Sequence, residues 1–489
     1  DPKTNPEVAA VLNERLLMNI LKQKGDVFSG MAKQQNVQEN LVAALTQYQQ
    51  AVSTIDHLRR GYLSESAKLF LQNNASEIYQ KGVETAYQLY HLNQSKQYLA
   101  QAFYFMEKSK SSVLSEALQA TNPTAILGVE SELIAKEMTL DQQVKSLQLK
   151  LSNAQVNETD DTVRVKLRKD LFSAKTRVDS LTDVIREVYP QYHQLKYQVE
   201  VLDLDQAEGL LPDHAVALSF YEADSSWFVL GFSEKVTFFQ IPKSELPVAI
   251  ISRFREAIGD PESDVNTVIA DGQLIYEKLL KETLLSFPNA KQLMVIPDGN
   301  LNYLPLEALA LDSASTTDSH YATRFLLEDY IVSYRNSMTL YAQKPDDRGY
   351  EQTYVGFAPS YPGNNPPLAM RESMAPLTGA KTEVERAGDM FKGEQYLDHQ
   401  ATEFEFKNKK HSSSILHLAM HATIDDKDPM RSRLLFTQES DSIEDGNLNA
   451  YEIYQLKLDA ELAVLSACNT GVGTIHKGEG VMSLSRAFM

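Results

Sequence analysis

Glycine and proline are spread so unevenly along this 489-residue chain that they divide it in two. Only 5 of its 21 glycines (Gly25, Gly30, Gly61, Gly82, Gly128) and 4 of its 18 prolines (Pro2, Pro6, Pro123, Pro190) lie before residue 204. These residues punctuate regular structure, so the first two-fifths must run in long helices with few turns and the remainder must turn often. A chain of this length exceeds what one hydrophobic core can hold, and two or three domains are expected. The expected fold class is multidomain, with an all-α region followed by an α/β region.

Two textures separate within the helical part. From about 5 to 120, small and aromatic residues recur at helical spacing: Ala44, Tyr48 and Ala51; Ala86, Tyr87 and Tyr90; Ala102, Phe103 and Phe105. Helical hairpins of the tetratricopeptide type use small residues of one helix to receive bulky ones of the next, but no clean 34-residue period can be laid down. An irregular helical bundle therefore stays open beside the repeat reading. From about 129 to 200 the pattern becomes heptad-like. Leu140, Val144, Leu147, Leu151 and Ala154 step by four and three, as do Leu167, Leu171, Ala174, Val178, Leu181, Ile185 and Val188. The polar stretch 157–162 between them predicts two long helices folded back as an antiparallel coiled-coil hairpin, with Pro190 kinking or ending the second. The expected boundaries are 1–125 for the repeat-like helices, 126–203 for the hairpin and 204–489 for the rest.

After residue 204, short apolar runs at 215–220, 227–232, 293–296, 354–357, 415–420 and 462–466 read as strands, with helical stretches such as 381–391 between them. Runs apolar on both faces are what buried parallel strands look like. A mainly parallel sheet with helices on both sides follows.

Composition excludes several functions. A net charge of −19 and a pI near 5.0, without any basic block, would repel a phosphate backbone, so nucleic acid is not an expected partner. No apolar run reaches the roughly 18 residues of a membrane span. The single cysteine rules out an internal disulfide framework and any site built from several thiolates, which suits a reducing compartment such as the cytoplasm. The chain starts at Asp1 without methionine, which leaves a removed signal peptide open. It stops at Met489 within an expected amphipathic helix (Val481, Leu484, Ser485, Phe488), so the C-terminus is expected to be incomplete.

Two segments carry the chemistry. The run 415–420 leads directly into His421 and Ala422, and the run 462–467 leads into Cys468, followed by Gly471 and Gly473. In open α/β sheets the functional crevice lies beyond the carboxyl ends of the strands, so both groups are expected at one edge. The 47 residues between His421 and Cys468 leave room for a crossover that makes the two strands parallel neighbours. A thiolate is a nucleophile, and a nearby imidazole favours its ionisation and can protonate a leaving amine. The backbone amides near Ala422 and Cys468 are candidates for holding an oxyanion. His417, four residues earlier and expected on the same face, packs in the sheet or props this edge. Asp425, Asp426 and Asp428 could meet a basic substrate, although an acidic loop on an acidic chain is usually just solvated. Asp298, after Pro297, reads as a turn former. The glycines from 471 to 480 lack the Gly-Lys-Ser/Thr ending of a phosphate-binding loop. No cofactor and no metal are expected.

The segments HLAMHA around His421 and LSACNTG around Cys468 resemble the His and Cys motifs of the CHAT domain, a bacterial relative of caspases and separases associated with tetratricopeptide repeats. VIPDGNLNYLPLEAL (295–309), FLLEDYIVSYRNS (325–337), LTGAKTEVE (377–385) and the GEG of 478–480 resemble further blocks of that family, and AFYFMEKSKSSVL (102–114) resembles a helix that often precedes it. The resemblance implies a caspase-like fold, a polarising or acid role for His421 and a nucleophilic role for Cys468. The residue after the family histidine is commonly glycine; Ala422 departs from that but still offers an amide. The expected function is that of a cysteine endopeptidase acting on a protein substrate, targeted or gated by a regulatory protein through its helices. The alternatives are a catalytically silent scaffold for protein assembly, and a transacylase or other thiol hydrolase using the same dyad.

Overall fold

The structure is a computed structural model. It describes residues 13–60, 65–110, 161–189, 201–311, 323–342, 353–361, 379–409, 413–425, 431–437, 444–453, 460–466, 474–476, 480–482 and 484–488, with isolated positions at 4–11, 133–150, 377, 456 and 458. The chain forms two compact units, Asp1–Lys344 with Lys477–Gly480, and Pro345–His476 with Val481–Met489.

The first unit opens with helices α1 (Glu14–Ala32), α2 (Val37–Arg60), α3 (Glu65–Asn93) and α4 (Lys96–Lys108), each packed on the next. The Asn13 side chain starts α1 by accepting the Leu16 amide at 3.0 Å, satisfying a donor that has no partner within the helix. Glycines set the closest approaches: a Cβ on Gly25 would lie 2.5 Å from the Tyr48 ring, and one on Gly82 would lie 2.3 Å from the ring of Phe105. Small residues thus receive bulky ones, as the spacing implied. The helices hold 19, 24, 29 and 13 residues, so hairpin geometry is present without a fixed period.

The second heptad run forms the helix Asp161–Val188. Leu140, Leu181 and Ile185 are buried together with Leu133, Val178 and Tyr189 packed against them, and Arg177 donates to Gln143 at 3.3 Å. Partners that rise along one arm fall along the other, which is the antiparallel arrangement. Leu151, Ala154 and Pro190 lie outside the described residues.

A five-stranded sheet follows, in the order β3 (Val236–Pro242), β2 (Ser226–Phe232), β1 (Ala215–Glu222), β4 (Gln292–Ile296) and β5 (Ile331–Tyr334). β1, β4 and β5 are parallel, and β1–β2–β3 form an antiparallel meander. Side chains alternate across it with period two. Val216, Leu218, Phe220, Trp227 and Val229 face a core shared with Ile251, Phe254 and Ile275 of the helices Val248–Ile258 and Val265–Leu279. Ala217, Tyr221, Phe228, Leu230 and Phe232 join the core of α1–α4 instead. The Tyr87 ring meets Phe228 and Phe238 edge-on at 5.3 and 5.1 Å, and Phe103 meets Phe232 at 5.5 Å. One core therefore runs from the helices into the sheet across residue 204.

Polar contacts fasten the same joint. Glu107, buried at the end of α4, accepts the Met338 amide at 3.2 Å and both the amide and hydroxyl of Thr339, at 2.9 and 2.8 Å. Lys110 is buried and donates to the Ser219 hydroxyl at 2.9 Å and the Ile296 carbonyl at 3.3 Å. Asp298 does begin a turn, yet its side chain is buried and accepts the Glu222 amide at 2.8 Å, so it closes the end of β1 rather than meeting solvent.

The second unit is built on a wholly parallel sheet, in the order β12 (Leu462–Ser466), β8 (Ile415–Ala419), β6 (Tyr354–Pro359) and β7 (Glu394–Asp398). One face packs Ala358 and Ala419 on Val384 of the helix Ala380–Phe391. The other buries Val355, Phe357, Leu416, Leu418 and Met420 with Phe406, Leu434 and Leu448. This is a mainly parallel α/β architecture, and the N-terminal region of the chain is helical, as expected. The expected C-terminal helix is absent: residues 480–482 form a strand and Ser485–Phe488 a 3-10 turn, with Leu484 and Ala487 reaching the core from two short elements.

Candidate active site

Because β6, β8 and β12 run in one direction, their carboxyl ends share one edge of the sheet. Register fixes what that edge contains. Leu462 to Ser466 pair in order with Ile415 to Ala419, so Ser466, two residues before Cys468, lies beside Ala419, two residues before His421. The neighbouring parallel strands expected from sequence are present. Cys468 itself lies outside the described residues, as do Gly471, Gly473, Asp426 and Asp428.

His421 does not continue β8. The chain bends at Met420, whose side chain is buried in the core, and His421 starts a new strand, β9 (His421–Thr423). β9 leaves the main sheet for a small antiparallel one with β10 (Arg433–Leu435) and β11 (Asn447–Asn449), in the order β11-β10-β9. The expectation that His417 and His421 share a face by strand alternation therefore fails, because the bend interrupts the alternation. His417 is buried with both ring nitrogens engaged: Nδ1 shares a hydrogen bond with the Tyr354 hydroxyl at 2.9 Å, and Nε2 lies 3.0 Å from Glu383. Burial, with the Glu383 charge adding to it, pushes the Tyr354 hydroxyl up to about 12. His417 packs in the sheet, the first of its two readings.

The His421 amide meets Tyr361, which follows β6 at the same edge. It donates to the Tyr361 hydroxyl at 3.0 Å, and that hydroxyl donates onward to the Leu435 carbonyl at 2.8 Å. His421 and Leu435 are opposite one another in the β9–β10 register. The hydroxyl thus contacts both members of this register pair. Amides along a strand point alternately to its two sides, so with His421 directed toward β10 the amide of Ala422 is directed to the opposite edge of β9. The rings of Tyr361 and His421 sit 4.9 Å apart, tilted by 52°. Burial raises the Tyr361 hydroxyl well above its ordinary range, and the His421 amide opposes that shift.

The Asp425 backbone amide donates to the Ser432 hydroxyl at 3.0 Å. Glu403, Glu444 and Glu452 converge closely enough to share a cation, but the Lys407 ammonium lies 2.7, 2.7 and 3.2 Å from them and supplies that charge itself.

The family model described as CHAT domain matches residues 270–489. Over residues 270–489 the chain is similar to the CHAT domain. The match takes in β4, both candidate segments and the whole parallel sheet of the second unit, and the CHAT domain is caspase-like. No curated protein matches the chain. Within these residues the sequence reasoning missed Tyr361. Its signal was available: an aromatic residue two places beyond the apolar run of β6, at the edge where His421 and Cys468 were expected.

Proposed function

We propose that the chain is a cysteine endopeptidase in which Cys468 attacks a peptide carbonyl and His421 handles the proton. The carrying observation is the β8–β12 register, which sets the approaches to His421 and Cys468 side by side at one sheet edge. The sulfur forms a bond to the carbonyl carbon, the oxyanion is held by the amides of Ala422 and Cys468, and His421 delivers a proton to the leaving amine as the C–N bond breaks. Water then hydrolyses the thioester with the proton returned. The outward direction of the Ala422 amide supports the oxyanion role, since a donor committed to the β10 ladder could not serve it. The tetratricopeptide-like helices would recruit the protein substrate or a regulatory partner.

The test is labelling of the full chain by a peptide-like thiol probe, comparing wild type with Cys468→Ala and His421→Ala. Only one cysteine is present, so the first variant is a clean control. Labelling that needs both residues, with cleavage of a protein substrate, supports the peptidase. Labelling indifferent to His421 means an ordinary thiol and favours a scaffold; an acylated acceptor without cleavage identifies a transacylase.

A further inference from the structure

The geometry points to Tyr361 as the positioning residue for His421: its hydroxyl, hydrogen-bonded to both the His421 amide and the Leu435 carbonyl, fixes where the imidazole stands at the sheet edge. This rests on the dyad reading above. A strand that begins at a bend has no preceding ladder bond to hold its first residue, and His421 is the first residue of β9. The hydroxyl accepts from the His421 amide and donates to the Leu435 carbonyl, and the Tyr361 ring lies against the imidazole.

Tyr361 is itself held at its base. The Ser360 amide donates to the Thr437 hydroxyl at 3.2 Å, and that hydroxyl lies 2.7 Å from the Asp398 carbonyl at the end of β7. The Thr437 amide donates to the Ala401 carbonyl at 3.0 Å. Residue 437 lies two positions beyond Leu435, so the strand end that carries Tyr361 and the strand that accepts its hydroxyl are tied together beside the bridge. A tyrosine placed only to fill space would need none of these polar contacts. Phenylalanine would fill the same volume and leave the His421 amide and the Leu435 carbonyl without their bridge.

The experiment uses the full chain as wild type, Tyr361→Phe, His421→Ala and the double variant. Amide hydrogen exchange is followed on protein labelled with nitrogen-15 at its 10 histidines, the His421 signal being the one lost in His421→Ala. In Tyr361→Phe the His421 amide is expected to exchange faster by about fivefold. Unchanged exchange overturns the inference whatever the labelling shows. Thiol-probe labelling of Cys468 is expected to slow by about tenfold in Tyr361→Phe and to be no slower in the double variant than in His421→Ala, because Tyr361 acts through His421. If His421→Ala abolishes labelling while Tyr361→Phe leaves it intact, the dyad stands and the positioning role falls. Where His421→Ala labels as fast as wild type, the dyad reading is what fails, and the exchange measurement alone decides whether Tyr361 holds residue 421.

Discussion

The approach of α3 to α4 gives a prediction whose sign is decided by two opposing effects. Gly82 lies inside α3, and a Cβ there would sit 2.3, 2.4 and 2.5 Å from three atoms of the Phe105 ring. Replacing a mid-helix glycine by alanine gains about 1 kcal/mol from helix propensity. Carbon atoms in contact normally stay about 3.5 Å apart, so the ring must retreat by about 1 Å. Phe105 is wholly buried and cannot step into solvent. Overpacking of this kind costs about 1–3 kcal/mol or more, and a contact this short belongs at the upper end. Gly82→Ala is therefore expected to be destabilised by about 1–2 kcal/mol net. Gly30, exposed near the end of α1 with nothing within 4 Å of a Cβ, supplies the control: Gly30→Ala keeps only the favourable effect and should gain about 0.5 kcal/mol. Urea unfolding of the full chain, followed by far-ultraviolet circular dichroism at constant slope, reads both. A Gly82→Ala protein as stable as wild type would refute the close packing of α3 on α4.

Two further outcomes follow from buried polar groups. Burial drives the Lys110 amine down to about 8 from 10.5, against the pull of Asp298 and Glu107. Between those values the unfolded chain keeps a proton that the folded lysine has released, so this group makes stability rise with pH from about 8 to about 10.5, by about 3 kcal/mol in all. Lys110→Met should remove that rise, and urea midpoints at the two ends of the window test it; equal slopes in both proteins would show that Lys110 is not held in a dry site. For the paired histidines, His417→Phe should keep Cys468 labelling while lowering stability by about 1–2 kcal/mol through its lost hydrogen bonds, and loss of labelling without loss of stability would reverse the roles given to His417 and His421.

The elements most legible in the sequence are those whose pattern reports their burial. The runs at 293–296 and 415–419 are apolar because packed residues cover them on both faces, and they emerge as β4 and β8, while 462–466 emerges as the half-buried edge strand β12 through its apolar residues alone. β7 escaped because its residues are only partly buried and read as polar loop. β9, β10 and β11 have three residues each, too few for alternation to declare itself. The candidate site was half legible for a related reason. A strand followed at once by histidine or cysteine is a local pattern, whereas the contact of Tyr361 brings its hydroxyl to two strands 60 and 74 residues further along the chain. No period in the sequence encodes that meeting, and the bend at Met420 that makes it necessary is hidden inside an apolar run.

The composition break at residue 204 marks a change of secondary structure, and the packing shows why that is not the same as a change of core. Had α1–α4 formed a detachable module, their inner faces would close on themselves and the outer face of the five-stranded sheet would be polar. Instead Tyr221, Phe228, Phe232, Phe238 and Met294 are buried on that face against α3 and α4 residues such as Tyr87 and Phe103. Glu107 and Lys110 then place two ionisable groups in the same joint, where each is tolerable only while its partners on the sheet side remain in reach. Removing the helices would expose a large apolar face and strand the Thr339 and Ser219 contacts at once. A signal received by α1–α4 would therefore act on the sheet through this shared core, among the described residues.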